Sequence, residues 1–133
     1  MKDIVDLLDL PDTTVAVVGA TDDPRKYGYI IYRDLKRKGY TVFPVNRSRD
    51  AVDGDRAYRT LRDLPQTPTI VNVVVPPSET ALVVRHCLEL GIGNVWLQPG
   101  AESPEVLEFL QTNGFNYLAD ACIMVQSRFA HPP

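Results

Sequence analysis

Short apolar segments without a charged side chain recur along this chain, and they constrain its fold more than any other feature. Five of them are rich in the residues that strands favour; they cover residues 14–18, 40–45, 69–75, 94–98 and 115–119. The first, TVAVV, is apolar throughout, which is typical of a strand buried on both faces of a parallel sheet. The second contains Pro44, which we expect at the end of its strand because proline donates no hydrogen bond to a sheet.

Helical segments fill the spaces between these strands. Residues 2–10 predict a short outer helix, and residues 28–38 predict a longer one that ends at a glycine. We expect Ser78 to cap the helix after the third strand and Ser103 to cap the helix after the fourth. Strands that alternate with helices form βαβ units and a parallel sheet. The sequence therefore predicts an α/β fold, a Rossmann-like three-layer sandwich with five parallel strands in the order 3-2-1-4-5. Two stretches are predicted to be irregular; they are residues 46–64, apart from a short turn at their end, and the tail at residues 120–130.

The composition fits one domain over residues 1–133 and argues against several classes of protein. A net charge of −3 and a pI near 5.3 differ from the basic character of nucleic-acid-binding domains. No apolar run approaches the roughly 20 residues of a membrane span, and the N-terminal stretch carries acidic residues unlike a signal peptide, so we expect a cytoplasmic protein. Two cysteines and two histidines supply no metal-ligand pattern, so no metal site is predicted. Basic residues crowd into the first third of the chain, where an anionic small ligand could bind.

The segment after the first strand, GATDDPRKYG, predicts a phosphate site. Ligands of open parallel sheets bind beyond the carboxyl ends of the strands, where the strand order reverses. The N-terminus of the next helix, near Gly28, could hold a pyrophosphate through its free N–H groups. Because the segment departs from GxGxxG, a tight turn that needs glycine only for its backbone angles is the alternative. The candidate residues are Gly19, Ala20, Thr21, Arg25, Lys26, Tyr27 and Gly28.

The segment after the second strand argues against NAD. NAD-binding folds place Asp or Glu there to hold the ribose hydroxyls, whereas this chain has Pro44, Val45, Asn46 and Arg47. Arg47 and Arg49 could pair with a phosphate on the ribose, as in NADP or in the 3′-phosphate of coenzyme A. The alternative is that both are solvated loop charges.

Two further strand ends offer a surface to a ligand. Val75, Pro76 and Pro77 predict a rigid apolar wall that suits an adenine ring or a pantetheine chain, or a stiff loop that ends the strand. The candidates after the fourth strand allow close approach of a ligand to the backbone, or form a plain turn. They are Gln98, Pro99 and Gly100.

Three side chains raise the question of catalysis. Cys122 follows the fifth strand, where its thiolate could form a mixed disulfide with coenzyme A, although a small buried hydrophobic role is more typical of a free cysteine. We expect Cys87 in the core. His86 lies in the helix after the third strand, and we expect it away from the strand ends.

Five pieces of the sequence together resemble a known family. They are VAVVGAT, GYTVFPVN, VVVPP, NVWLQPG and DACIMV. In these pieces the chain resembles the small CoA-binding domain family, which is similar to the N-terminal CoA-binding domain of the succinyl-CoA synthetase α subunit. The likeness covers residues 15–129, nearly the whole chain.

This resemblance implies a place for each part of coenzyme A. Residues 19–21 would hold the diphosphate, and residues 44–47 would flank the adenosine and its phosphate. Val75 and Pro76 would face the adenine, with residues 98 and 99 toward the pantetheine arm.

The sequence favours one function and leaves an alternative. The favoured one is non-catalytic binding of coenzyme A or acyl-CoA, as a sensor, a store or a partner of another chain, because so short a chain lacks the other parts of a ligase. The alternative is a small NADP-dependent oxidoreductase or a dehydrogenase-like nucleotide-binding domain, although the sequence offers it no obvious proton donor.

Overall fold

The first apolar segment forms a strand at the centre of the protein. This strand, β1, comprises Thr14–Val18, and all five of its residues are buried. The computed structural model describes residues 2–128, so the end of the predicted tail lies outside the described residues. The other helices and strands, in chain order, are α1 (Ile4–Leu7), α2 (Tyr27–Arg37), β2 (Thr41–Val45), β3 (Ala51–Val52), β4 (Asp55–Arg56), β5 (Ile70–Val73), α3 (Pro77–Leu90), β6 (Asn94–Leu97), α4 (Pro104–Thr112), β7 (Asn116–Leu118) and α5 (Ile123–Gln126). A 3-10 turn at Leu61–Asp63 lies between β4 and β5.

The five predicted strands form one parallel sheet, as predicted, but their order differs from the prediction. The observed order is β2-β1-β5-β6-β7, so the predicted strands lie in the order 2-1-3-4-5 and not 3-2-1-4-5. Pro44 explains the difference, because a strand that contains proline cannot supply ladder hydrogen bonds on both sides. β2 is therefore an edge strand, and the fully buried β5 pairs with β1 instead. The outer edge of β2 is covered by Tyr58, whose N–H donates to the Pro44 carbonyl at 2.9 Å.

Two apolar layers enclose the sheet. Alternate residues of each strand point to opposite faces, so Val15 and Val17 pack with α1, α2 and α5, whereas Ala16 and Val18 pack with α3 and α4. Trp96 is fully buried in the first layer, and its indole N–H donates to the Ala121 carbonyl at 2.8 Å. No helix among residues 2–128 has the length and apolar character needed to cross a membrane.

The stretch that was predicted to be irregular contains a small hairpin. Strands β3 and β4 pair in an antiparallel manner around Asp53 and Gly54, which both have positive φ angles, at 53° and 77°. The hairpin is held against α2 because the Tyr32 hydroxyl donates to the Asp55 carboxylate at 2.6 Å and the Lys36 ammonium reaches the same group at 2.8 Å.

The helix ends confirm one predicted cap and contradict another. The Ser103 hydroxyl accepts a hydrogen bond from the Val106 N–H at 3.2 Å, as predicted. Ser78, however, lies inside α3, because Pro76 occupies the capping position and Pro77 opens the helix. Proline is favoured in a first helical turn because it has no N–H to leave unpaired. The C-terminal segment also contains the short helix α5 where only a tail was predicted.

Candidate functional site

A cleft of about 1010 Å³ opens at the carboxyl ends of the strands. It lies above β1 and β5, because the chain leaves β1 toward β2 on one side and leaves β5 toward β6 on the other. This is the position at which open parallel sheets bind ligands. The volume is at the upper end of the range of about 300–1,000 Å³ that is typical of small-molecule and cofactor sites.

Most of the predicted site residues line this cleft. The structure brings together the loop after β1, the loop after β2, the start of α3 and the loop after β6. The predicted residues that line the cleft are Gly19, Thr21, Arg25, Lys26, Tyr27, Gly28, Val45, Asn46, Arg47, Val75, Pro76, Pro77, Pro99 and Gly100, and Arg49 lines it as well.

Three predicted site residues lie behind the wall of the cleft. Ala20 is fully buried, and Pro44 is buried on the outer edge of the sheet. Gln98 is 4% exposed, and its side-chain oxygen accepts hydrogen bonds from Asn72 at 3.1 Å and from the Ile123 N–H at 2.8 Å. Gln98 therefore holds the C-terminal segment against the sheet instead of pointing into the cleft.

The loop after β1 approaches its helix so closely that two glycines are required. Gly19 has a φ of +106°, and a Cβ there would lie 2.9 Å from a methyl group of Val74. A Cβ on Gly28 would lie 1.9 Å from the Gly19 carbonyl oxygen. The N-terminus of α2 thus packs directly on the loop after β1.

Two helix N-termini face the cleft without a side-chain cap. Neither Lys26 at the start of α2 nor Pro76 at the start of α3 supplies a capping hydrogen bond from its side chain, in contrast to Ser103 at α4. The first N–H groups of a helix carry partial positive charge and need hydrogen-bond acceptors. The positive end of each helix dipole therefore favours an anionic group in the cleft, with fewer free donors at α3, where Pro77 has no N–H and the Glu79 and Thr80 N–H groups donate to the Pro76 carbonyl.

Asn46 connects two of the loops that form the site. Its side-chain nitrogen donates to the Ala20 carbonyl at 2.8 Å, and its side-chain oxygen accepts from the Ser48 N–H at 2.8 Å. Asn46 thereby fixes the loop after β2 to the loop after β1. Its side chain occupies the place where NAD-binding folds have an acid.

Basic side chains outnumber acidic ones around the cleft, although the whole chain has a net charge of −3. Five lysine or arginine side chains and two carboxylates line it; they are Arg25, Lys26, Arg47, Arg49 and Arg59, with Asp23 and Glu79. A hydrogen bond from the Arg25 side chain lowers the pKa of Asp23 to about 2, so this carboxylate stays ionised at neutral pH. The cleft is thus suited to an anionic ligand.

Several residues that line the cleft were not predicted. Arg59, Thr60 and Leu61 come from the stretch after β4, and Glu79, Leu82 and Val83 come from α3. His86 also lines the cleft, although it lies in the third turn of α3. The reason is that α3 runs along the wall of the cleft, which brings its third turn beside the site.

The two cysteines differ in their surroundings. Cys87 is fully buried, as predicted, and burial raises the pKa of its thiol to about 12. Cys122 is partly exposed and not buried; it lies 3.4 Å from the side-chain nitrogen of Gln98 and outside the set of residues that line the cleft. Within residues 2–128, no three His, Cys, Asp or Glu side chains group closely enough to hold a metal ion.

Comparison with known proteins places these features in a family. A family model described as CoA binding domain matches residues 13–128. The α subunit of ADP-forming acetate–CoA ligase II from Pyrococcus furiosus is 28% identical over 128 residues, and the match covers 88% of this chain but only 28% of the length of that subunit. The uncharacterized protein YneT from Bacillus subtilis is 29% identical over 111 residues, which are 84% of this chain and 82% of YneT.

The solved structure of a conserved hypothetical protein from Pyrococcus furiosus has 42% identity and a TM-score of 0.83, over 86% of this chain and 99% of that one. The match to the family model and the cleft at the carboxyl edge of its sheet agree, and this chain belongs to the CoA binding domain family.

Proposed function

We propose that this protein binds coenzyme A or an acyl-CoA in the cleft above β1 and β5, and that it does so without catalysing a reaction. The observation that carries the proposal is the chemistry of the cleft. A cofactor-sized space combines an excess of basic side chains with two uncapped helix N-termini, inside an acidic protein. Coenzyme A carries a diphosphate and a 3′-phosphate, and these groups need such an environment.

The parts of coenzyme A have natural places in this cleft. The diphosphate would lie against Gly19, Thr21 and the start of α2, where the backbone comes closest. The 3′-phosphate would pair with Arg47, supported by Arg49. The adenine would pack on the apolar wall at residues 75–77.

The pantetheine arm would then leave along the opposite side of the cleft. Pro99 and Gly100 line that side, and Gly100 has a φ of +95° with open space where a Cβ would stand. An extended chain can approach such a backbone closely.

Asn46 supports coenzyme A over NAD. Its side chain is an amide and not the carboxylate that holds two ribose hydroxyls in NAD sites, and both of its polar atoms are already hydrogen-bonded to the backbone. A ribose that carries a phosphate is better matched to the neighbouring Arg47.

The acidic groups of the cleft support a binding role. Asp23 is paired with Arg25 at 2.9 Å, and Glu79 is paired with Arg47 at 2.7 Å. A general acid or base needs a pKa near the working pH, and the pKa of Asp23 is lowered to about 2.

Calorimetric titration with coenzyme A, dephospho-CoA, NAD and NADP tests the proposal. We expect coenzyme A to bind most tightly and dephospho-CoA to bind more weakly. Arg47→Ala is expected to weaken coenzyme A roughly 5- to 20-fold, because a charge-assisted hydrogen bond is lost, and to change dephospho-CoA little.

Arg62→Ala is the matched control, since Arg62 is also an exposed arginine in an ion pair but does not line the cleft. Binding of NADP without binding of coenzyme A would refute the proposed function and favour the oxidoreductase alternative. Equal losses for both CoA forms in Arg47→Ala would remove Arg47 from the phosphate contact.

A further inference from the structure

One ion pair joins two different walls of the cleft. Arg47 follows β2, Glu79 lies in the first turn of α3, and their side chains meet at 2.7 Å. β1 lies between β2 and β5 in the sheet, so the two residues leave strands that are about 10 Å apart. The pair therefore extends over the end of β1, where the loop at Gly19 begins.

The other ion pairs of the cleft are local by comparison. Arg25 pairs with Asp23 in the same loop, and Arg59 pairs with Asp50 within the stretch between β2 and β5. The Arg47 side chain is 78% exposed, whereas the Glu79 side chain is only 29% exposed. Glu79 is thus the more buried partner, and the exposed Arg47 side chain extends toward it over the cleft.

We propose that Glu79 is a specificity-determining residue that competes with the ligand phosphate for Arg47. This inference rests on the proposed function, because it concerns the same cleft and the same 3′-phosphate. A phosphate that pairs with Arg47 has to displace the Glu79 carboxylate. A ligand without that phosphate leaves the ion pair in place.

The physical chemistry of the pair supports such a competition. An exposed arginine–carboxylate pair contributes little to stability, so a ligand can open it. A phosphate monoester carries more negative charge than a carboxylate and can form bidentate hydrogen bonds with a guanidinium, so it can take the arginine. The displaced carboxylate remains on α3 close to the bound phosphate, and the two like charges repel each other. Glu79 consequently lowers the affinity for phosphorylated ligands and keeps their binding reversible.

Titration of Glu79→Gln with coenzyme A and dephospho-CoA tests this role. Glutamine keeps the size of the side chain and removes its charge. We expect coenzyme A to bind roughly 2- to 5-fold more tightly than to the wild type, because the cost of opening one exposed pair is removed. Dephospho-CoA is expected to change by less than about 2-fold, and the gain is expected to disappear in the double variant with Arg47→Ala.

Glu89→Gln is the matched control, because Glu89 is on the same helix and pairs with the exposed Arg62 but does not line the cleft. An unchanged or weaker affinity of Glu79→Gln for coenzyme A, with a melting temperature near that of the wild type, would overturn the inference. An equal gain in affinity for both ligands would also overturn the inference, since that result would indicate a general electrostatic effect of removing one negative charge from the cleft. If the wild type itself binds no coenzyme A, the proposed function fails first, and the two failures are thereby distinguished.

Discussion

The contact between Gly28 and Gly19 yields the sharpest prediction of this structure. Replacing Gly28 by alanine would place a Cβ 1.9 Å from the Gly19 carbonyl oxygen and 2.9 Å from its carbonyl carbon. Carbon and oxygen atoms normally approach to about 3.3 Å, so the loop or the helix would have to move by about 1.4 Å. The obstacle is backbone, which cannot rotate away as a side chain can.

The loop that would have to move is held on both sides. The Gly19 N–H donates to the Val45 carbonyl at 2.9 Å, and the Ala20 carbonyl accepts from Asn46 at 2.8 Å. Overpacking of a well-packed site costs typically 1–3 kcal/mol. The higher helix propensity of alanine returns about 0.5–1 kcal/mol. We therefore expect Gly28→Ala to lower the free energy of unfolding by about 1–2 kcal/mol. Because the loop after β1 is displaced, we also expect weaker binding of coenzyme A, the ligand proposed for the cleft.

Urea unfolding followed by circular dichroism measures this effect, with Gly93→Ala as the control. A Cβ on Gly93 meets nothing within 4 Å, so we expect that variant to stay within about 0.5 kcal/mol of the wild type or to be slightly stabilised. A Gly28→Ala protein within about 0.5 kcal/mol of the wild type would refute the reasoning, since the loop would then have room for the extra methyl group.

Two further predictions concern stability. Ser103→Ala is expected to lower the free energy of unfolding by about 1 kcal/mol, because the Val106 N–H loses its acceptor, and an unchanged urea midpoint would contradict this. Burial raises the pKa of the Cys87 thiol from its ordinary 9.0 to about 12, so above pH 9.0 the unfolded chain loses this proton while the folded protein keeps it. Stability is therefore expected to fall between pH 9.0 and about 12, and Cys87→Ala should flatten that slope in unfolding curves recorded across this range. The same slope in the variant would show that other groups cause it.

The hairpin at residues 51–56 shows a signal that was present in the sequence but too short to be decisive. Asp53-Gly54 is a favoured pair for a two-residue hairpin turn, and the positive φ angles at both positions agree with that turn. Its strands, β3 and β4, have only two residues each, so no alternating pattern accompanies the turn. Anchoring of the hairpin by Tyr32 and Lys36 of α2 is a tertiary contact that local sequence does not encode.

The candidate site also has a part that the sequence could predict and a part that it could not. The carboxyl ends of parallel strands share one edge of a sheet, so the residues that follow β1, β2, β5 and β6 could be placed together from the sequence. Arg59 and His86 reach the cleft from a connecting stretch and from the third turn of a helix, where no strand end predicts them. Gln98 follows a strand, yet its side chain turns to Asn72 and Ile123 behind the wall.

The sequence by itself determined the five strands of the parallel sheet, the helices α1 to α4 and the glycine loop at the start of α2, because periodicity, caps and glycines act over a few neighbouring residues. Only the tertiary structure decided the strand order, since the order depends on which strand pairs with each edge of β2. Pro44 excludes a further sheet strand from one of these edges. The tertiary structure also decided the pairing of Arg47 with Glu79, which are 32 positions apart in the chain and meet because β5 lies beside β1. Such contacts depend on how distant segments pack, and no local pattern in the chain specifies them.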